Sequence, residues 1–195
     1  MMKYTLFMIK SKYLSFTILT LVIFGMIFIR GCAQDSTRQK DITKTISEEY
    51  VAYSNTRHAL DRPVNWEVEE NGAFTYFKSP LDEDSNDLQE NVVIDVAPVG
   101  EPGQNLIDFF QDSVEILMAT TPEFALVSHR EDKFGGVPAY RIVYTEGEES
   151  AQTKYLQVFA VKGNNTHIVT YTAPAETFDK YLPEAEAIIS SYRIK

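Results

Sequence analysis

The segment YLQVFAV, residues 155–161, limits the possible folds more than any other part of the sequence. Its side chains are apolar on both sides of a pleat, apart from Gln157. Successive residues of a strand point to opposite faces of a sheet, so a strand of this composition has to be covered on both faces. The segment therefore predicts a layered domain in which this strand lies inside the sheet.

Other β segments surround this strand and are separated by short turns. FGG and KGNN contain residues that tolerate positive φ, which is typical of tight turns between neighbouring strands. Residues 50–55, 73–80 and 91–99 are also predicted to be strands. The four later β segments are EFALVSHRED, VPAYRIVYTE, KYLQVFAVKG and HIVTYTAP.

Two helices are predicted, one between the strands and one near the end of the chain. Asn105 can cap the first helix and Pro122 ends it. The last helix covers residues 183–191, with Pro183 in its first turn. This order predicts an α+β fold, a twisted antiparallel sheet flanked by helices on both faces. The apolar stripes that support these helices are Leu106, Phe109, Phe110, Val114, Leu117 and Met118 in the first, and Leu182, Ala185, Ile188 and Ile189 in the second.

The beginning of the chain has the pattern of an export signal. Lys3, Lys10 and Lys12 precede an uncharged apolar run at 14–29, and no acidic residue occurs before Asp35. A basic start followed by an apolar core is typical of secretory signals. The run is somewhat short for a membrane span, which needs roughly 20 apolar residues.

Residues 29–32, Ile-Arg-Gly-Cys, resemble a bacterial lipobox, although Arg30 departs from its usual pattern. The resemblance implies that Cys32 receives a diacylglyceryl group and that residues 1–31 are removed. The alternative is that residues 1–31 remain as a membrane anchor. Both interpretations predict a domain tethered outside the cytoplasmic membrane, connected through residues 32–48, whose polar composition indicates a flexible stalk.

The charge of the chain restricts its partners. All 28 acidic residues lie beyond Cys32, whereas four of the 18 basic residues belong to residues 1–31, so cleavage would leave a net charge of −14. Nucleic acid and anionic lipid headgroups would be repelled by this charge. Basic protein surfaces and cations remain as candidate partners.

No catalytic or metal-binding pattern is evident in the sequence. His58, His129 and His167 lie in separate segments, so a zinc site is not predicted, and His167 is expected to be exposed after a turn. Asp82, Glu83, Asp84, Asp87 and Glu90 could offer oxygen ligands, but they lack the order of a calcium loop and predict a solvated loop. Trp66 and residues 138–139 are interpreted as structural.

Several segments together resemble the PsbP-like family over residues 49–195. They are RPVNWEVE, FGGVPAYRIVY, YLQVFAVKGNNTHIVTYTAP and FDKYLPEAEAIISSYRI. The resemblance implies a PsbP-like α/β/α sandwich. The family includes photosystem II extrinsic proteins, bacterial lipoproteins, and small eukaryotic proteins that bind the nuclear GTPase Ran.

The resemblance also implies a function. Members of this family are binding or assembly modules, so we expect a non-enzymatic, membrane-tethered, extracytoplasmic module. We expect it to have a protein partner, no cofactor and no nucleic acid. Two alternatives stay open at this point. One is a photosystem II-associated accessory protein, and the other is a metal-dependent hydrolase whose site is not legible in the sequence.

Overall fold

The computed structural model describes residues 49–81, 88–100 and 103–195. Within these ranges the chain forms an α+β fold with two antiparallel sheets and two α-helices. The elements in chain order are β1 (Tyr50–Ser54), β2 (His58–Pro63), β3 (Glu67–Asn71), β4 (Phe74–Lys78), β5 (Asn91–Pro98), α1 (Leu106–Thr120), β6 (Ala125–Phe134), β7 (Val137–Glu146), β8 (Thr153–Lys162), β9 (Asn165–Pro174), α2 (Phe178–Ser191) and β10 (Arg193–Ile194).

The larger sheet has seven strands in the order β3-β4-β5-β9-β8-β7-β6. All of its neighbouring strands are antiparallel. Gly163, with φ of 62°, lies in the turn between β8 and β9, where a left-handed backbone favours glycine. The predicted antiparallel pairing of these hairpins is confirmed. β6 and β3 form the two edges of the sheet.

A second sheet of three strands, β1-β2-β10, was not predicted from the sequence. In it, His58 and Ala59 of β2 pair with Ile194 and Arg193 of β10. The sheet passes close to the β6–β7 turn, since a Cβ at Gly135 would lie 2.6 Å from the Ile194 side chain. The end of the chain is therefore joined to the beginning of the described domain.

Alternate side chains of β8 belong to two different apolar clusters. Leu156, Val158 and Ala160 belong to the larger cluster, which includes Ile188 of α2. Phe159 belongs to the smaller cluster, which packs with residues of α1. The burial expected for YLQVFAV on both sides of its pleat is therefore found, with Leu156 and Phe159 at most 3% exposed.

The two helices differ in how well the sequence predicted them. α1 has the expected position, and its end precedes Pro122. α2 begins at Phe178, earlier than predicted, and Pro183 lies inside the helix. The prediction that Pro183 belongs to the first turn was wrong because a proline is tolerated beyond it where the packing of the whole helix compensates for the lost hydrogen bond.

Several sequence predictions fall outside the described residues. They concern the apolar segment with Cys32, the stalk at 32–48, and residues 82–87 of the acidic loop. Within the described ranges neither helix has the length and hydropathy needed to cross a bilayer. The last acidic residue of that loop, Glu90, is described, and its predicted exposure was wrong. It is 6% exposed and accepts hydrogen bonds from Ser79 at 3.1 Å and Thr177 at 2.7 Å.

Candidate docking surface

The local sequence around Asn105 fixes the beginning of α1. The Asn105 side chain accepts a hydrogen bond from the backbone N–H of Asp108 at 3.0 Å, and its amide donates to the Asp108 carboxylate at 2.7 Å. This satisfies a backbone donor that the first turn leaves unpaired. Asp108 also places a negative charge at the positive end of the helix dipole. α1 is therefore a well-capped helix.

Aromatic rings hold α1 against the sheet. Phe110 stacks on Tyr140 of β7 with centroids 4.5 Å apart, and it meets Phe159 of β8 edge-on at 5.6 Å. Phe109 also meets Phe159 edge-on, at 6.2 Å. However, every residue of α1 is at least partly exposed. The helix is thus attached along a narrow strip rather than embedded in the core.

One flank of α1 presents apolar side chains to solvent. Ile107 and Met118 are 52% and 63% exposed, and the half-buried Phe110 and Val114 lie between them at helical spacing. Met118 belongs to the same apolar stripe as Phe110 and Val114, but it is more exposed than they are. The reason is that the sheet contacts only part of the stripe. Because Phe110 stacks on Tyr140, this flank faces β7 and the edge strand β6 beyond it.

The edge strand β6 forms the other side of a groove. Its residues Glu131 and His129 are paired with Tyr140 and Ile142, and directly opposed residues share a face of the sheet. Since Ile142 packs in the α1 cluster, both β6 residues lie on the α1 side of the sheet. We call this space the α1–β6 groove. It is walled by Ile107, Phe110, Val114 and Met118 of α1 and by Glu131 of β6. The register places Leu126 and His129 on the same face of β6.

Two depressions of about 460 Å³ each lie beside α1, the first of them in this groove. The first lies where the beginning of α1 meets the β6–β7 hairpin, and Asp108, Glu131 and Tyr140 contribute to its lining. The second lies along the helix, with Val114, Glu115 and Met118 in its lining. The groove therefore combines an apolar wall with carboxylates at its rim.

The opposite side of the sheet contains a fixed ion-pair network. Arg141 of β7, whose side chain is 10% exposed, contacts Asp132 of β6 at 2.6 Å and Glu186 of α2 at 2.5 Å. Burial alone would raise the pKa of the Asp132 carboxyl, but the Lys133 N–H and the Arg141 guanidinium hold that pKa below its ordinary value. These paired charges join β6, β7 and α2 and have a structural role.

A second buried polar cluster surrounds Tyr192, just before β10. The Tyr192 ring stacks on Phe134 at 4.1 Å and on His58 at 5.3 Å, and its hydroxyl is 2.9 Å from His167 Nδ1. His167 is 3% exposed, so its predicted exposure was wrong. The turn between β8 and β9 ends before His167, and the His167 side chain points inward. His58 and His167 are 109 residues apart, so no local sequence pattern indicates that they lie near each other.

Burial determines the protonation of these histidines. His58 is 0% exposed, and neither of its ring nitrogens has a hydrogen-bond partner among the described residues. Burial, with the nearby charge of Arg57, lowers the pKa of His58 to about 4. Burial also lowers the pKa of His167. Both rings are therefore neutral at pH 7 and act as packing groups beside Tyr192.

The remaining candidate residues are dispersed. His129 is exposed on the edge strand β6, three strands from His167 on β9. Trp66 is 3% exposed and packs against Tyr181 of α2. Within the described ranges no group of three His, Cys, Asp or Glu side chains could hold a metal ion. Cys32 lies outside those ranges. We therefore take the α1–β6 groove, with its exposed apolar residues and nearby carboxylates, as the candidate functional surface.

Comparison with known proteins identifies the family. The family model described as PsbP-like protein matches residues 14–194, so the chain belongs to the PsbP-like family. No match was found among curated proteins.

Solved structures share the fold at low sequence identity. One is the solution structure of cyanobacterial PsbP (CyanoP) from Synechocystis, which is 14% identical in sequence and has a TM-score of 0.55. The match covers 75% of this chain and 93% of the CyanoP chain. LpqN of Mycobacterium tuberculosis, described as involved in cell envelope biogenesis, is also 14% identical, covers 79% of this chain and 96% of its own, and has a TM-score of 0.56. At this identity the likeness concerns the fold alone.

Proposed function

We propose that this protein is a membrane-tethered, extracytoplasmic binding or assembly module without enzymatic activity. The observation that carries the proposal is the exposed apolar flank of α1 beside an acidic rim. Contiguous apolar surface on a soluble domain is typical of an interaction site. Ile107 and Met118 of this helix are more than half exposed.

The fold agrees with such a role. In this proposal the seven-stranded sheet is a rigid layer covered by α2 on one face and partly by α1 on the other, as in a PsbP-like sandwich. The α2 side maintains the structure and the α1 side receives the partner. Membership of the PsbP-like family and the fold shared with LpqN, a protein involved in cell envelope biogenesis, favour work at the cell envelope.

The tether rests on Cys32 and the apolar run before it. Metabolic labelling with a lipid precursor should label the wild type but not Cys32→Ser, and mass spectrometry should find residues 1–31 absent from the labelled protein. Equal labelling of both proteins, or an intact beginning of the chain, would favour an uncleaved anchor. Neither result would alter the docking part of the proposal.

The docking function is tested by crosslinking the full chain in its own membranes. Met118→Lys should remove a crosslinked complex that the wild type forms, because it places a charge on the apolar flank. Ile116→Lys is the matched control, since Ile116 is 61% exposed against 63% for Met118 and carries the same charge change. A complex that survives Met118→Lys, or no complex at all, would contradict docking through this flank.

A further inference from the structure

The apolar flank of α1 has a regular spacing. Ile107, Phe110, Val114 and Met118 follow one another at intervals of three or four residues. At 1.5 Å per residue this stripe is roughly 16 Å long, or about three helical turns. Leu126 of β6 adds another exposed apolar side chain on this face of the sheet, because it is paired with Tyr144 and is 47% exposed. The groove is therefore long and narrow, as expected for an elongated ligand.

Carboxylates accompany the stripe. Asp108 and Glu115 lie two helical turns apart on its solvent side, and Glu131 faces them from β6. Within the described residues none of these three carboxylates forms an ion pair. α1 itself contains three acidic residues and no lysine or arginine. The rim of the groove therefore attracts positive charge.

This charge excludes two occupants. A second copy of the chain would bring its own negative charge, because the net charge is −10 and becomes −14 without residues 1–31. Anionic lipid headgroups and nucleic acid would be repelled for the same reason. A cationic protein segment is attracted by the rim and can bury its apolar side chains against the stripe.

The edge of β6 disfavours an added strand. Its residues Arg130, Glu131, Asp132 and Lys133 are charged, and its register shifts between Leu126 and Ser128. Charged side chains and bulges are devices that prevent pairing at a sheet edge. An amphipathic helix uses side chains alone and does not need this edge, so it fits the groove better than a strand does.

We infer that the α1–β6 groove binds a cationic amphipathic helix of a protein partner, an inference that rests on the proposed docking function. The partner's apolar residues, at spacings of three and four, pack on Phe110, Val114 and Met118. Its lysines or arginines lie beside Asp108, Glu115 and Glu131. Pairs of acidic and basic side chains at the edges of the apolar contact would select the partner, as such pairs do in coiled coils.

The test uses a synthetic peptide as the probe. The peptide is about 18 residues long, roughly five turns, with leucines at helical spacing and lysines beside them. The full chain in neutral detergent carries the photo-crosslinker benzoylphenylalanine in place of either Met118 or Ile116. Both positions belong to α1 and are similarly exposed, but only Met118 lies on the groove flank. Capture at position 118 should exceed capture at position 116 by about tenfold, as expected for a central contact.

Charge reversal tests the rim. Glu115→Lys should reduce capture at position 118 by about tenfold, and high salt should do the same. Glu176→Lys makes the same change in net charge at an exposed position outside the groove, and it should leave capture unchanged. Circular dichroism of each variant verifies that the fold is retained.

Three results would overturn the inference. They are equal capture at positions 116 and 118, no capture at either, or better capture of a peptide of the same composition whose leucines alternate in β-strand fashion. The docking function would then still stand if Met118→Lys removes the membrane complex while Ile116→Lys does not. The two failures are therefore distinguishable.

Discussion

The two helices of this protein are similar in length, but they differ in how deeply they are buried against the sheet. α2 has four buried residues, including Ile188 at 0% exposure, whereas every residue of α1 is half-buried or exposed. α2 is also connected to the sheet by Arg141 and Glu186, while α1 is held mainly by aromatic contacts. The comparison teaches that apolar residues at helical spacing do not all belong to the core. In α1 part of the stripe remains available to a partner.

The largest expected effect of a substitution is on the α2 side. Trp66 is 3% exposed and meets Tyr181 of α2 edge-on at 6.3 Å. Trp66→Ala should lower the free energy of unfolding by about 3–5 kcal/mol, because it removes a buried indole and leaves a cavity. Urea denaturation measures this change. Ile116→Ala on α1 is the control and should change the free energy by less than about 0.5 kcal/mol. Similar losses in both variants would contradict the division of roles between the helices.

The second prediction concerns acid stability. Burial lowers the pKa of His58 to about 4 from an ordinary value of 6.5, so the unfolded chain binds a proton more readily than the folded chain does. His58 therefore contributes fully to stability above pH 6.5, and this contribution is lost as the pH falls towards 4. The whole loss corresponds to about 3 kcal/mol, of which about 1.4 kcal/mol falls between pH 7.5 and 5.5.

Several groups around His58 determine this behaviour. Arg57, His167 and Lys195 disfavour its protonated form, and Glu70 favours it. Denaturant titrations at several pH values should show the decline in the wild type and a smaller one in His58→Phe, whose ring can still stack on Tyr192. His129→Gln, at an exposed position, should behave as the wild type. An identical decline in His58→Phe would assign the acid sensitivity to other groups.

The smallest effect is expected in α1. Asn105→Ala removes the hydrogen bond to the Asp108 N–H, and the loss of an N-cap typically costs about 1 kcal/mol. Because α1 is loosely attached, this cost should appear as local opening. Hydrogen exchange of α1 amides should accelerate by about fivefold while α2 amides remain unchanged. Gln111→Ala serves as a control within α1. Equal acceleration in both helices would mean that α1 opens only when the whole domain unfolds.

The sequence predicted what short-range patterns can encode. The bounds of α1 followed from Asn105 and Pro122, and the antiparallel hairpins followed from the turns at residues 135–136 and 163–164. The α+β class followed from the order of these elements. Patterns of this kind depend on neighbours within a few residues, where spacing and backbone geometry are closely related.

Long-range pairing was not predictable in this way. β2 ends at Pro63 and β10 has only two residues, so neither has a strand pattern of its own, and each is stabilised by the other. The burial of His167 depends on Tyr192, and the burial of Glu90 depends on Thr177. The groove was missed for a related reason. The exposure of Met118 depends on where the sheet ends, and the periodicity of α1 contains no information about that edge.

The pairing of β2 with β10 also determines when the domain can fold. His58 and Ala59 find their strand partners only at residues 193–194, at the far end of the chain. Until residues 193–194 have left the ribosome, the three-stranded sheet cannot be completed. Until then, Tyr192 also cannot stack between Phe134 and His58. Folding of the domain therefore depends on a contact between residues that are far apart in the sequence, and a chain truncated before residue 192 would lack this closing sheet.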